Sequence, residues 1–187
     1  RAHWEACRHG ADVPMRADID PRGIAPLISS AFIAERIAPG VVRLRVAGMA
    51  LNDLMGMEVR GMPLTTFIAP SDRDAFALRL VDLFDGPAIL RMRLTSRRGL
   101  GRPALGGTLM MLPLRSDLGD ISRALGCLVT DGPVGRAPRR FGIARAETLP
   151  LDGAPATRGV PSLRAISGTG ARSAPGPRDR SHLRLVI

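Results

Sequence analysis

The residues able to do acid–base or ligand chemistry are His3, His9 and His182, Cys7 and Cys127, and 17 carboxylates. Two carboxylate pairs stand two residues apart at Asp18/Asp20 and Asp72/Asp74. General acid–base work needs a base held within hydrogen-bond reach of its partner, and no His lies beside either pair in sequence. Asp20 and Asp74 also have helix-capping readings, which leaves little for catalysis. Gly99-x-Gly101 falls between two predicted strands, with no helix N-terminus to hold a phosphate, and Gly168-x-Gly170 falls in a low-complexity stretch. The cysteines form no CxxC or Cys/His ligand spacing. They read as two free thiols in a reducing cytosol, so the expectation is a non-enzymatic, cytoplasmic protein.

The basic residues point elsewhere. The net charge is +10, and all 27 cations are Arg. Residues 1–132 carry +3 and residues 133–187 carry +7. A basic excess that sits mostly in a tail is usually a solvated one, which ranks nucleic-acid binding through that tail below the other readings. With 3% aromatics, no Tyr and one Trp, the core must rest on Leu, Ile, Val, Met and Ala. No apolar run reaches the 18 residues of a membrane span.

These residues need elements to position them. Asp20-Pro21 is a helix start, a side-chain cap followed by a proline with no N–H to lose, and predicts a short helix over 21–29. Alternation predicts strands at about 31–37 and 41–47 around a Pro39-Gly40 turn. Leu51, Leu54 and Met55 share one face of a short helix that Gly56 ends. Ser71, with Asp74 three residues on, predicts the cap of the clearest helix. Its stripe is Phe76, Leu80, Leu83 and Phe84. Strands follow at about 88–95, 107–115 and 122–131, although Pro113 argues against a regular central strand. Residues 133–187 hold seven Gly and seven Pro and read as a mostly disordered tail. The domain reading is 1–29, an N-terminal extension; 30–132, the folded domain; and 133–187, the tail. Two islands interrupt the tail, Arg139-Arg-Phe-Gly-Ile143 and His182-Leu-Arg-Leu-Val-Ile187.

The stretch Gly48-Met-Ala-Leu-Asn-Asp-Leu-Met-Gly56, then Gly61-Met-Pro-Leu64, resembles the first half of a PAS domain, and the order β-β-α-α-β-β-β over about 30–131 is similar throughout. A narrower resemblance is to a family of alphaproteobacterial PAS-type signalling proteins. It is carried by Trp4 with Cys7-Arg8, Pro14-x-Arg16, Asp18-Ile-Asp20-Pro21, Arg43-x-Arg45-Val-x-Gly48, Leu112-Pro-Leu114, Arg123-x-Leu125-Gly126, Arg139-Arg-Phe141 and His182-Leu-Arg-Leu-Val186. The resemblance implies an α+β fold: a five-stranded antiparallel sheet of order 2-1-5-4-3, short helices on one face and an N-terminal helix. It implies that Arg43/Arg45 and Arg91/Arg93 guard the two sheet edges.

PAS domains often hold heme, flavin or a small acid. An axial His is missing from the predicted core, and Cys127 sits in a late strand rather than in a photoactive-flavin motif. No cofactor is therefore expected, and a small ligand stays open. The candidate cavity lining is Leu44, Val46, Leu54, Leu80, Leu90, Met92, Leu112 and Leu128. The candidate dimer or partner contacts are Trp4, Leu27 and Ile28, with a homodimer and other signalling proteins as the expected partners. Trp4 has a rival reading as a cover for the domain core.

Overall fold

A computed structural model describes residues 1–8 and 13–151. The chain forms one antiparallel sheet of six strands: β1 (Ala31–Ala38), β2 (Val41–Ala47), β3 (Ala88–Ser96), β4 (Leu105–Arg115), β5 (Ile121–Asp131) and β6 (Gly142–Pro150). Their order is β2-β1-β5-β4-β3-β6. The α-helices are α1 (Ala2–Ala6), α2 (Met49–Met55) and α3 (Arg73–Asp85), and a 3-10 helix spans Pro21–Ser30. The expected helix at 21–29 takes this tighter form: Asp20 caps it by accepting from the Arg22 N–H at 2.8 Å, and Pro26 sits inside it, where no N–H remains for an α-helical bond.

The first five strands match the expected order. The sixth does not appear in the sequence reading. β6 lies in the stretch read as tail and pairs along β3 from Ala88↔Pro150 to Thr95↔Gly142. Arg91 and Arg93 are thus interior to the sheet rather than on its edge, and Arg93 donates to Thr108 Oγ1 at 2.8 Å. Arg43 and Arg45 remain on the edge strand β2. The other island residues, 182–187, lie outside the described residues.

One face of the sheet is apolar throughout, and the other is apolar at one end, around Ile89, Leu112, Leu114 and Leu125, with Arg91 and Arg93 exposed beyond it. Alternation along β4 sends Leu109 and Met111 to one face and Leu112 and Leu114 to the other. The first face packs on α2 and α3, where Phe76, Leu80, Leu83 and Phe84 form the buried stripe as spaced. Ser71 does not cap α3. Asp72 holds the N-cap position without a side-chain cap bond, and its carboxylate instead accepts from the Ile143 N–H of β6 at 3.1 Å. The apolar end of the opposite face is covered by the N-terminal segment.

Two glycines of the opening motif have different reasons. Gly56 takes φ 71°, the left-handed turn that stops α2. Gly48 has an ordinary φ of −72°, but a Cβ there would collide with the carbonyl oxygens of Ile28 and Ser29. Only glycine lets the start of α2 lie against the end of the 3-10 helix. Gly48→Ala is expected to lower stability by about 1–3 kcal/mol and to speed amide exchange over residues 21–30. Urea denaturation and hydrogen exchange measure the two effects, and an unchanged exchange pattern would refute the contact.

Candidate functional site

The N-terminal segment packs on the sheet through Trp4, Val13 and Ile19. α1 is only five residues long, too short to hold itself in water. Trp4 fixes it: the indole is 1% exposed, and its Nε1–H donates to the Pro113 carbonyl at 3.0 Å. The pairing of β3 with β4 ends at Leu90↔Met111, so the Pro113 carbonyl lies beyond that ladder. The proline brings no N–H to the strand, and Trp4 satisfies its carbonyl. That is how a proline sits inside a central strand.

The rest of the segment is stitched down around Trp4. Arg8 lies over the indole ring at 5.3 Å. Glu5 bonds Arg1 and Arg8, each at 3.1 Å. Burial alone would raise the Glu5 carboxyl, but the bonds from Arg8 and Arg1 outweigh it and lower its pKa. His3 Nε2 accepts from the Asp20 N–H at 3.1 Å, and Cys7 Sγ lies 3.3 Å from the Asp18 carbonyl. The Arg115 N–H donates to the Pro14 carbonyl at 2.9 Å. Asp18 accepts from the Met15 N–H. The paired carboxylates therefore hold backbone.

Beside this cover runs an apolar groove of about 200 Å³. Ile19, Ile24 and Ile28 form one wall, and Ile33, Val46 and Leu125 line the sheet side. Its rim is incompletely covered: Ile28 is 50% exposed and Val46 55%, and Leu27, 44% exposed, lines the neighbouring cleft.

The expected cavity residues divide between the faces. Leu44, Leu54, Leu80, Leu90, Met92 and Leu128 lie in the main core between sheet and helices. Val46 and Leu112 do not. Ile33 pairs with Val46 and Ala34 with Leu44, leaving Arg45 as an extra residue in β2. This bulge turns Val46 to the groove. Leu112 follows the even-numbered set of β4 onto the N-terminal cover. Of the expected contact residues, Leu27 and Ile28 are at the surface, while Trp4 is spent on the fold.

Sequence reasoning also missed Arg139 and Phe141 as structural residues. The Arg139 N–H donates to Leu54 O at the end of α2 at 2.7 Å, and the Phe141 N–H to Phe67 O at 2.8 Å. The island Arg139-Arg-Phe141 was the visible signal, a compact motif in a Gly/Pro-rich stretch.

A PAS domain family model matches residues 1–129. The chain belongs to the PAS domain family. No curated protein sequence matches it. Two solved structures are similar at low identity. The light-state structure of the blue-light photoreceptor Aureochrome1 LOV has TM-score 0.39 and 12% identity, covering 59% of this chain and 88% of that one. An RNA-binding light-oxygen-voltage receptor has TM-score 0.39 and 19% identity, covering 62% of this chain and 35% of that one.

The described thiols of this PAS domain do not fit a photoactive flavin held between sheet and helices. Cys127 lines a small cleft with Ile24, Leu27 and Leu112 under the N-terminal cover, and burial raises its pKa. Cys7 and His3 belong to the cover itself. Among the described residues no cluster of His, Cys, Asp or Glu could hold a metal ion, and no helix is long and apolar enough to cross a membrane.

Trp4→Ala should cost about 3–5 kcal/mol, and Trp4→Phe, which keeps most of the burial and loses the hydrogen bond, about 1 kcal/mol more than nothing. Chemical denaturation of the three proteins checks the order. Equal stability of wild type and Trp4→Ala would contradict the anchoring role.

Proposed function

We propose that this PAS domain is a non-enzymatic sensory or regulatory protein of bacterial signalling, cytoplasmic, that acts by protein–protein contact and pairs with a second copy of itself across the outer face beside β2. The observation that carries this reading is the half-exposed rim of Ile28 and Val46 on an apolar groove, with Leu27 exposed on the adjoining cleft. Exposed aliphatic side chains beside an apolar groove favour an interface. The groove adjoins β2, an edge strand of the sheet whose Leu44 N–H and carbonyl are already bonded to Met62 and Gly61, so a partner there meets apolar side chains. The bulge at Arg45 and the Glu35–Arg45 ion pair oppose open-ended strand addition and favour side-chain packing on the groove.

The absence of catalysis is part of the proposal. Asp20 and Asp72 are occupied by backbone N–H groups, and the described carboxylates meet no His in a base-like pair. The alternative of a receptor with an aliphatic interior draws less support, because the six interior candidates are packed at 0–2% exposure.

Sedimentation of the full chain tests the reading. Wild type is expected to dimerise with rising concentration, and Ile28→Glu and Val46→Glu to remain monomeric with melting temperatures within about 2 °C of wild type. A wild type that stays monomeric, or variants that dimerise as well as it does, would overturn the homodimer.

A further inference from the structure

At the far edge of the sheet, three connecting segments bring four arginines to one cleft. Arg97 follows β3, Arg102 lies in the turn before β4, and Arg139 and Arg140 precede β6. The cleft measures about 540 Å³, within the range of small-molecule sites. The acidic residue lining it is Asp72, whose Oδ2 is occupied by the Ile143 N–H. Four guanidinium groups against one carboxylate leave the lining with a net +3.

Arg139 is the decisive member. It is 1% exposed. Its Nε donates to Ser96 Oγ at 3.3 Å, Nη1 to the Val134 carbonyl at 2.6 Å and Nη2 to the Pro103 carbonyl at 2.6 Å. Every one of these partners is neutral. A guanidinium keeps its charge in a protein, and buried charges are ordinarily paired with opposite charge. Among the described residues Arg139 has no carboxylate partner. Burial, and then the neighbouring Arg102, lower its pKa. Arg102 spends its Nε on the Arg136 carbonyl at 3.2 Å. Arg97 and Arg140 are exposed, and no hydrogen bond or ion pair engages them among the described residues. Hydroxyl donors stand beside them at Ser71 and Thr95.

We propose that this cleft binds a small molecule bearing phosphate groups with two or more negative charges. A multiply charged oxyanion would supply the counter-charge that Arg139 lacks. Arginine forks match phosphate oxygens in pairs, and the surrounding hydroxyls add donors. A monocarboxylate would leave most of the positive charge unopposed. The cleft shares no lining residue with the apolar groove, so this site stands or falls independently of the dimer.

Calorimetric titration of the full chain with sodium pyrophosphate, citrate and sodium chloride at matched ionic strength tests it. Pyrophosphate should bind, citrate at least about tenfold more weakly, and chloride not at all. Arg97→Ala/Arg140→Ala removes two exposed side chains that no described contact uses, so folding should be kept. It should weaken pyrophosphate by about tenfold or more. Arg98→Ala, which alters a neighbour that does not line the cleft, should bind as wild type. The proposal is overturned if wild type does not bind pyrophosphate, or if citrate binds as tightly. It is equally overturned if the double variant binds as well as wild type, or if Arg98→Ala loses as much, since either result assigns binding to the general arginine content of the chain.

Discussion

The Trp4–Pro113 hydrogen bond answers a constraint set by the sheet itself. An antiparallel sheet commonly turns one face to water; this one carries an apolar patch on that second face as well. Leu112, Leu114, Leu125 and Ile89 would be wetted if residues 1–30 came away. The elements that cover them are a five-residue helix and a 3-10 helix, neither stable alone. Burial of Trp4, with Val13 and Ile19 beside it, therefore fixes the cover, and the carbonyl of a mid-strand proline fixes the indole. Indole and proline are complementary: the proline carbonyl accepts the indole N–H, and the proline brings no N–H of its own.

The second constraint is the sheet edge. Without β6, strand β3 would expose its backbone and the main core would lack Phe141, which is fully buried. The chain returns from β5 to that position through a stretch held at three points: Arg139 to the end of α2, Phe141 to the segment before α3, and Asp72 to Ile143. Arg139 also bonds the carbonyls of two loops with its side chain. A lysine could not reach three diverging acceptors in one plane, and this explains why a charge is tolerated where a hydrophobe would pack.

What could be read from residues alone follows from how local the signals are. Strands β1 to β5, the stripe on α3, the Asp20 cap and the Gly56 stop depend on spacing or on single-residue conformational preference, and the structure reproduces them. The failures are non-local. Val46 alternates correctly with Leu44 until a bulge, set by pairing with β1, reverses it. Leu112 looks like any strand leucine, because residues 109–114 of β4 are all apolar and carry no alternation to say which way it points. β6 was hidden by composition: Gly142, Pro150 and the surrounding glycines and prolines carry the texture of a tail, and only the partner strand makes them a strand. Ser71 had the cap sequence, yet Asp72 took the position and gave its carboxylate to β6. The groove was half legible, through Leu27 and Ile28. The arginine cleft was not legible, since its members come from three segments that only the sheet brings together.

The two clefts share no lining residue, yet a short run of contacts lies between them. Arg139 binds the carbonyl of Leu54 near the end of α2, and the glycine at the start of that helix rests against Ile28 and Ser29 at the groove. Five helical residues separate these points. Contiguous packing of this kind is not itself a switch; a switch needs an element with two arrangements that both sites bias. The filled core between sheet and helices is ill suited to that part, because close-packed interiors resist small displacements. The 3-10 helix is better suited. None of its ten residues is fully buried, its backbone bonds are the weaker 3-10 kind, and regions with few buried contacts open at low free energy. Any signal that this domain passes to a partner at Leu27 and Ile28 has its softest point of entry in the segment that carries them.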